Sequence, residues 1–83
     1  MIFMSIKPLY QAVEICGGIS LLANRMNEKS NTISMWLQRG NIPAEKVIAV
    51  AKATEYQITP NKLRSDLYPY EFDGLPENKR MVA

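Results

Sequence analysis

Four side chains, Asn31, Ser34, Met35 and Gln38, recur at i, i+3, i+4 and i+7 within SNTISMWLQRG. A helix brings residues at that spacing onto one face. None of the four is ionisable, yet together they carry a full recognition vocabulary. The amides of Asn31 and Gln38 each donate and accept at once, which lets them pair bidentately with an adenine edge. The Ser34 hydroxyl works in either direction, and the Met35 side chain suits apolar contact with a thymine methyl. A helix face that merely meets water more often carries Glu and Lys at i, i+4 spacing, and this one is free of carboxylates. Cations bracket the same stretch at Arg25, Lys29 and Arg39, with Ser30 at the helix entry. The expected chemistry is a helix that reads base edges from the major groove while Arg25, Lys29 and Arg39 meet the backbone phosphates. A polar, solvated helix in a purely architectural domain is the competing reading.

Two elements must hold such a face in place. Ile33, Trp36 and Leu37 lie on the opposite side of the same helix and form its apolar face. Just before it, Ile19, Leu22, Ala23 and Met26 repeat at i, i+3, i+4 and i+7, which predicts a first, shorter helix. Only Asn27, Glu28 and Lys29 separate the two patterns, so the helices have to cross steeply, as in a helix-turn-helix. Asn27 falls where the first helix stops, a place that favours a left-handed backbone, and Asn tolerates that best after Gly. Ala23 supplies the small side chain a steep crossing needs.

The run GGISLLANRMNEKSNTISMWLQRGNIP resembles the helix-turn-helix of phage Cro repressors, and within them the YdaS group of prophage regulators and antitoxins. The later LRSDLYP is similar to that group's Leu-Arg-Pro-Asp-Leu-Tyr-Pro, and the likeness spans residues 9–69. The resemblance implies a lambda repressor-like, all-α domain that binds double-stranded DNA. It puts Ala23 at the small-residue position, Asn27 at the turn usually held by Gly, and Ile33 and Trp36 at buried positions. Lys29, Ser30, Asn31, Ser34, Met35 and Gln38 fall where the family meets DNA. Two residues depart from the pattern: Glu28 stands where relatives place an apolar residue, and Ser65 where they have Pro.

Composition bounds the rest. At 83 residues and 47% hydrophobic the chain makes one domain with a modest core. It contains no His, and its one cysteine, Cys16, lies on an apolar stripe and reads as a buried structural thiol. No cluster has metal-ligand spacing, no Gly-rich loop follows a strand, and no paired carboxylates share a helix face. No enzyme, cofactor or metal is therefore expected. MIFMSIKP lacks the charged and apolar regions of a signal peptide, and translation from Met4 would change the fold little. With no run of about 18 apolar residues to span a membrane, a cytoplasmic protein is expected. The net charge of +2 is small, although residues 7–69 hold eight basic and five acidic side chains. A single copy with so little charge would bind DNA weakly, so a homodimer on a palindromic site is expected.

The remaining elements read as scaffold. Pro8 opens a helix with Leu9, Ala12, Val13 and Cys16 inward, ended by Gly17-Gly18, and Tyr10 is partly exposed. Gly40 closes the recognition helix. Pro43 opens another helix to about Thr54, with Glu45 in its first turn and Ala44, Val47, Ile48 and Ala51 buried. Lys46 there is either solvated or on a phosphate. Thr59 and Pro60 read as N-cap and first residue of a last short helix, with Leu63 and Leu67 folding back and Tyr68 covering the edge; Ile58-Thr59 as the start of a strand is the lesser reading. Arg64 and Asp66 are too close on a helix to face each other, so no pair is expected. The fold class is thus all-α, a helix-turn-helix domain of about five short helices over residues 1–69, with residues 70–83 as a flexible tail. Alternatively, Tyr70 and Phe72 pair with a second subunit as a strand. The function so read is a sequence-specific transcriptional regulator of the phage or prophage repressor type, acting through residues 30–38. The alternative is an antitoxin whose tail neutralises a protein toxin.

Overall fold

The computed structural model describes residues 6–76, and every regular element among them is helical. In order they are α1 (Ile6–Cys16), α2 (Ile19–Met26), α3 (Ser30–Arg39), a 3-10 turn (Ala44–Lys46), α4 (Val47–Ala53) and α5 (Pro60–Leu63). The domain is therefore a small all-α globule of five helices with the helix-turn-helix at α2 and α3. No strand begins at Ile58-Thr59. Helix α1 already includes Ile6, the first described residue, so Pro8 is not its first position.

Backbone geometry at the helix ends sets the crossings. Gly17 has φ 99°, Asn27 φ 59° and Gly40 φ 80°, all in the left-handed region. At the end of α2 the Glu28 N–H donates to the Ala23 carbonyl at 2.8 Å and the Asn27 N–H to the Asn24 carbonyl at 3.1 Å. That pair of bonds closes the helix and turns the chain at once. Helix α4 ends in the same way on less suitable residues. Glu55 (φ 57°) and Tyr56 (φ 62°) are both left-handed, and their N–H groups donate to the Lys52 and Ala51 carbonyls at 2.8 Å each.

The core gathers Leu9, Ala12, Leu22, Ile33, Trp36, Ile42, Val47, Val50, Ala51 and Leu63, all nearly or wholly out of solvent. Cys16 is buried with them. The helix expected from Pro43 begins instead as a 3-10 turn, which has three residues per turn and shifts the phase of the succeeding α4. Val50 is consequently buried, whereas Ala44 is exposed and Ile48 only half-buried. Thr54 continues the Val47, Val50, Ala51 stripe and is fully buried. Its hydroxyl donates to the Ala51 carbonyl at 2.8 Å and accepts from the Ile58 N–H at 3.1 Å, so the polar group is satisfied inside the core.

After α5 the chain departs from the expected continuation. The helix ends at Leu63, so Leu67 lies off its inward stripe and is exposed. The same ending brings Arg64 and Asp66 together. Arg64 Nε donates to Asp66 Oδ1 at 2.9 Å and Nη2 to Oδ2 at 2.6 Å, a bidentate pair that i, i+2 residues cannot make on a helix but can make in a turn. Arg64 Nη1 also donates to the Ile42 carbonyl at 2.7 Å, tying this turn to the loop after α3. Thr59 caps α5 through a bond accepted from the Lys62 N–H, Pro60 takes the first helical position, and Tyr68 packs on the core, as their sequence positions predict. Residues 70–76 turn back onto the domain: the Asp73 N–H donates to the Tyr70 carbonyl at 3.0 Å, and Leu75 is buried. The rest of the segment read as a tail lies outside the described residues.

Candidate nucleic-acid interface

The recognition face depends on how α3 is anchored. Ile33 and Trp36 are driven into the core and Leu37 packs at its margin. Burying side chains on one side of the helix fixes its rotation about its own axis. The opposite side then presents Asn31, Met35 and Gln38 to solvent, with Ser34 half-buried between them. Met35 keeps 43% of its surface exposed. Among the described residues, the Asn31, Ser34, Met35 and Gln38 side chains take no hydrogen bond or ion pair. The amides of Asn31 and Gln38 are open to an incoming surface.

The flanks of α3 divide into groups that are free and groups already engaged. Lys29 is the N-cap residue, extended at φ −90° and ψ 147°, and its exposed side chain makes no cap bond. Ser30 follows on the first turn, with its hydroxyl 3.4 Å from that of Ser20 on the first turn of α2. The separation is long for a hydroxyl bond, but it brings the first turns of α2 and α3 side by side. Neither helix has a side-chain cap there, and the positive end of each helix dipole lies at these turns. The sequence pattern does not single out Ser20, because its place depends on the crossing angle of α2 and α3. Arg39 is exposed in the last turn of α3, and its side chain takes no hydrogen bond or ion pair among the described residues.

Arg25 is placed differently from the other expected phosphate contacts. Its Nη1 donates to the Ala53 carbonyl at 2.7 Å and lies 3.7 Å from Cys16 Sγ. The guanidinium therefore closes the C-terminal end of α4, an engagement that the sequence does not announce. Lys46 and Glu28 account for each other. Lys46 Nζ stands 2.6 Å from Glu28 Oε2, and the Glu28 carboxylate raises the lysine above its ordinary value, chiefly through the hydrogen bond and then through charge attraction. The acid that departs from the family pattern after the turn is thus an ion-pair partner that links the turn to the 3-10 segment. It also neutralises Lys46 as a free cation.

Neither metal nor membrane chemistry has a foothold among the described residues. No three His, Cys, Asp or Glu side chains come together where they could hold a metal ion, and no helix is long and apolar enough to cross a membrane. The arrangement offers one uncharged hydrogen-bonding face, bordered by Lys29, Ser30 and Arg39, with Arg25 turned to the fold itself.

No curated protein and no solved structure matches the chain. The family model described as "Bacterial toxin YdaS" matches residues 9–71, a stretch that runs from the first inward residue of α1 through the Arg64–Asp66 turn and takes in all of α2 to α5. By that match the chain belongs to the YdaS bacterial toxin family.

Proposed function

We propose that this protein is a sequence-specific DNA-binding transcriptional regulator that places α3 in the major groove and represses by occupying a promoter. The observation that carries the reading is the outward face of α3, where Asn31, Met35 and Gln38 are exposed and unengaged while Ile33 and Trp36 lock the helix from behind. Amides and a soft apolar side chain on a rigid helix suit direct readout of A·T-containing steps. Lys29, Ser30 and Arg39 supply the contacts that set register on the phosphates, and a homodimer doubles a modest half-site energy. The reading uses no catalytic group, metal or cofactor, and its setting is the cytoplasm.

Selection of bound duplexes from a random DNA pool tests it directly. A palindromic or half-site motif is expected. On that motif Asn31→Ala and Gln38→Ala should each cost about 1–3 kcal/mol while binding to scrambled duplex hardly changes. Two variants that both keep the specific-to-scrambled ratio would remove α3 from DNA readout.

The family description favours a second reading, in which the protein works within a toxin–antitoxin pair. The family is described as a toxin, whereas the resemblance of the helix-turn-helix run implies an antitoxin that neutralises a protein toxin. Toxicity and DNA binding are compatible in one chain, since a regulator that occupies host promoters is itself harmful when unchecked. Growth arrest on expression that is relieved by Asn31→Ala/Gln38→Ala would join toxicity to DNA binding. Arrest that survives those changes would assign it to a protein contact.

A further inference from the structure

Two features of the surface take no part in the α3 face, and each is the chemical complement of the other. The first is a shallow groove of about 430 Å³ between the end of α2 and the outer side of α4, lined by Arg25, Met26, Ala49, Lys52, Ala53 and Glu55. Its apolar lining comes from Met26 and the two alanines, and its charged lining from Lys52, from Arg25, whose Nη1 is held on the Ala53 carbonyl, and from one acid, Glu55. Lys52 is exposed and has no ion-pair partner among the described residues. The second is the turn at residues 70–73, Tyr-Glu-Phe-Asp, in which aromatic and acidic residues alternate. Tyr70 is 73% exposed and Phe72 42%. Glu71 is exposed and unpaired among the described residues, while Asp73 Oδ2 accepts the Tyr70 N–H at 3.0 Å and holds the turn closed.

We infer that the turn at residues 70–73 of one copy docks in the α2–α4 groove of a second copy, with the aromatic rings on Met26, Ala49 and Ala53 and Glu71 against Lys52. Charge complementarity selects a second copy as the occupant: an acidic, aromatic projection and a basic, apolar recess occur on the same chain. The projection does not fill its own recess, as the exposure of Tyr70 attests. Both features border α4, because Gly74, immediately after the turn, lies so close to Ile48 and Pro60 that an added Cβ would come within 2.9 Å of each. Ile48 precedes Ala49 of the groove. Two copies related by a two-fold axis near α4 can therefore exchange turns reciprocally, each giving and receiving the same contact. About ten residues a side is fewer than the roughly 20–30 of a standard interface, so the association is weak alone and gains from two half-sites on one duplex. The inference rests on the regulator reading for the purpose of the dimer, but not for its geometry.

Sedimentation equilibrium of the full chain, over a range reaching about 1 mM, reads the contact. The wild type should self-associate. Lys52→Glu and Glu71→Lys should each weaken association at least tenfold, and Lys52→Glu/Glu71→Lys should restore it. Both positions are exposed, and circular dichroism checks the fold. A wild type that stays monomeric throughout overturns the inference, as does a double exchange that fails to recover association. Phe72→Ala keeps the two readings apart: it should lose self-association while retaining wild-type affinity for a single half-site duplex. A wild type that self-associates but enriches no DNA motif counts against the regulator reading alone.

Discussion

Arg25 offers the sharpest separation between a residue that holds the fold and one that holds DNA. Truncation by Arg25→Ala removes a charge-assisted bond of 2.7 Å to the Ala53 carbonyl. Bonds of this type contribute about 1.5–3 kcal/mol when shielded, but the guanidinium is exposed, and solvent screening brings the figure toward about 1 kcal/mol. The loss is softened because Cys16 Sγ, 3.6 Å from the same oxygen, remains as a weak donor. It is sharpened because that carbonyl ends α4, where a cation favours the helix dipole. A net cost of about 1 kcal/mol should move the urea midpoint down by about 0.5–1 M with the slope unchanged. Arg39→Ala is the control, since the exposed Arg39 side chain takes no hydrogen bond or ion pair in the described fold. That change should leave stability within about 0.5 kcal/mol and lower the salt dependence of DNA binding by about one phosphate contact. Urea titration of both variants, with duplex affinity across a salt series, gives the comparison. If Arg25→Ala were as stable as the wild type and lowered the salt slope by a full contact, the guanidinium would belong to DNA and its role at the end of α4 would fall.

Other perturbations probe the same contacts. Trp36→Ala should destabilise the domain by about 3–5 kcal/mol, a large share of what a domain of this size possesses, because Trp36 is only 4% exposed; a red-shifted, solvated tryptophan emission from the native wild type would contradict its burial. Thr54→Val keeps the shape but leaves the Ile58 N–H buried without an acceptor, so urea unfolding should show a loss of about 1–3 kcal/mol, and a neutral result would refute the assigned role of the hydroxyl. Asp66 is held below its ordinary value first by the hydrogen bond from Arg64, against a smaller opposing effect of desolvation, with charge attraction adding to the lowering. A carboxyl lowered on folding stabilises fully above its unfolded value of about 3.9, and the effect fades as pH falls through the still lower folded value. Asp66→Asn should therefore be less stable than the wild type at neutral pH, and the two should converge in acid; a gap that persists unchanged at low pH would rule out the ion pair as its source.

The parts of this fold that can be read from sequence are those where one residue type has one geometric use. Asn27 and Gly40 stand at left-handed turns, Thr59 and Pro60 open a helix, and the spacing of Ile33 and Trp36 sets the buried side of α3. Each is a local constraint, and the burial of Ile33 and Trp36 sets which side of α3 faces outward. The misreadings share the opposite property. The 3-10 start at Ala44 rotates the following stripe so that Val50, not Ile48, becomes fully buried. Arg64 and Asp66 look unable to pair only if the helix continues through them, and it ends before reaching them. Arg25 and Glu28 carry charges whose partners, Ala53 and Lys46, are separated from them by intervening helices, so their roles depend on tertiary packing alone. Charge near a helix-turn-helix is therefore a poor guide to phosphate contact until the fold's own claims on it are known. In this chain those claims pair Lys46 with Glu28 and hold Arg25 on the Ala53 carbonyl, whereas Lys29 and Arg39 beside α3 take no hydrogen bond or ion pair through their side chains among the described residues.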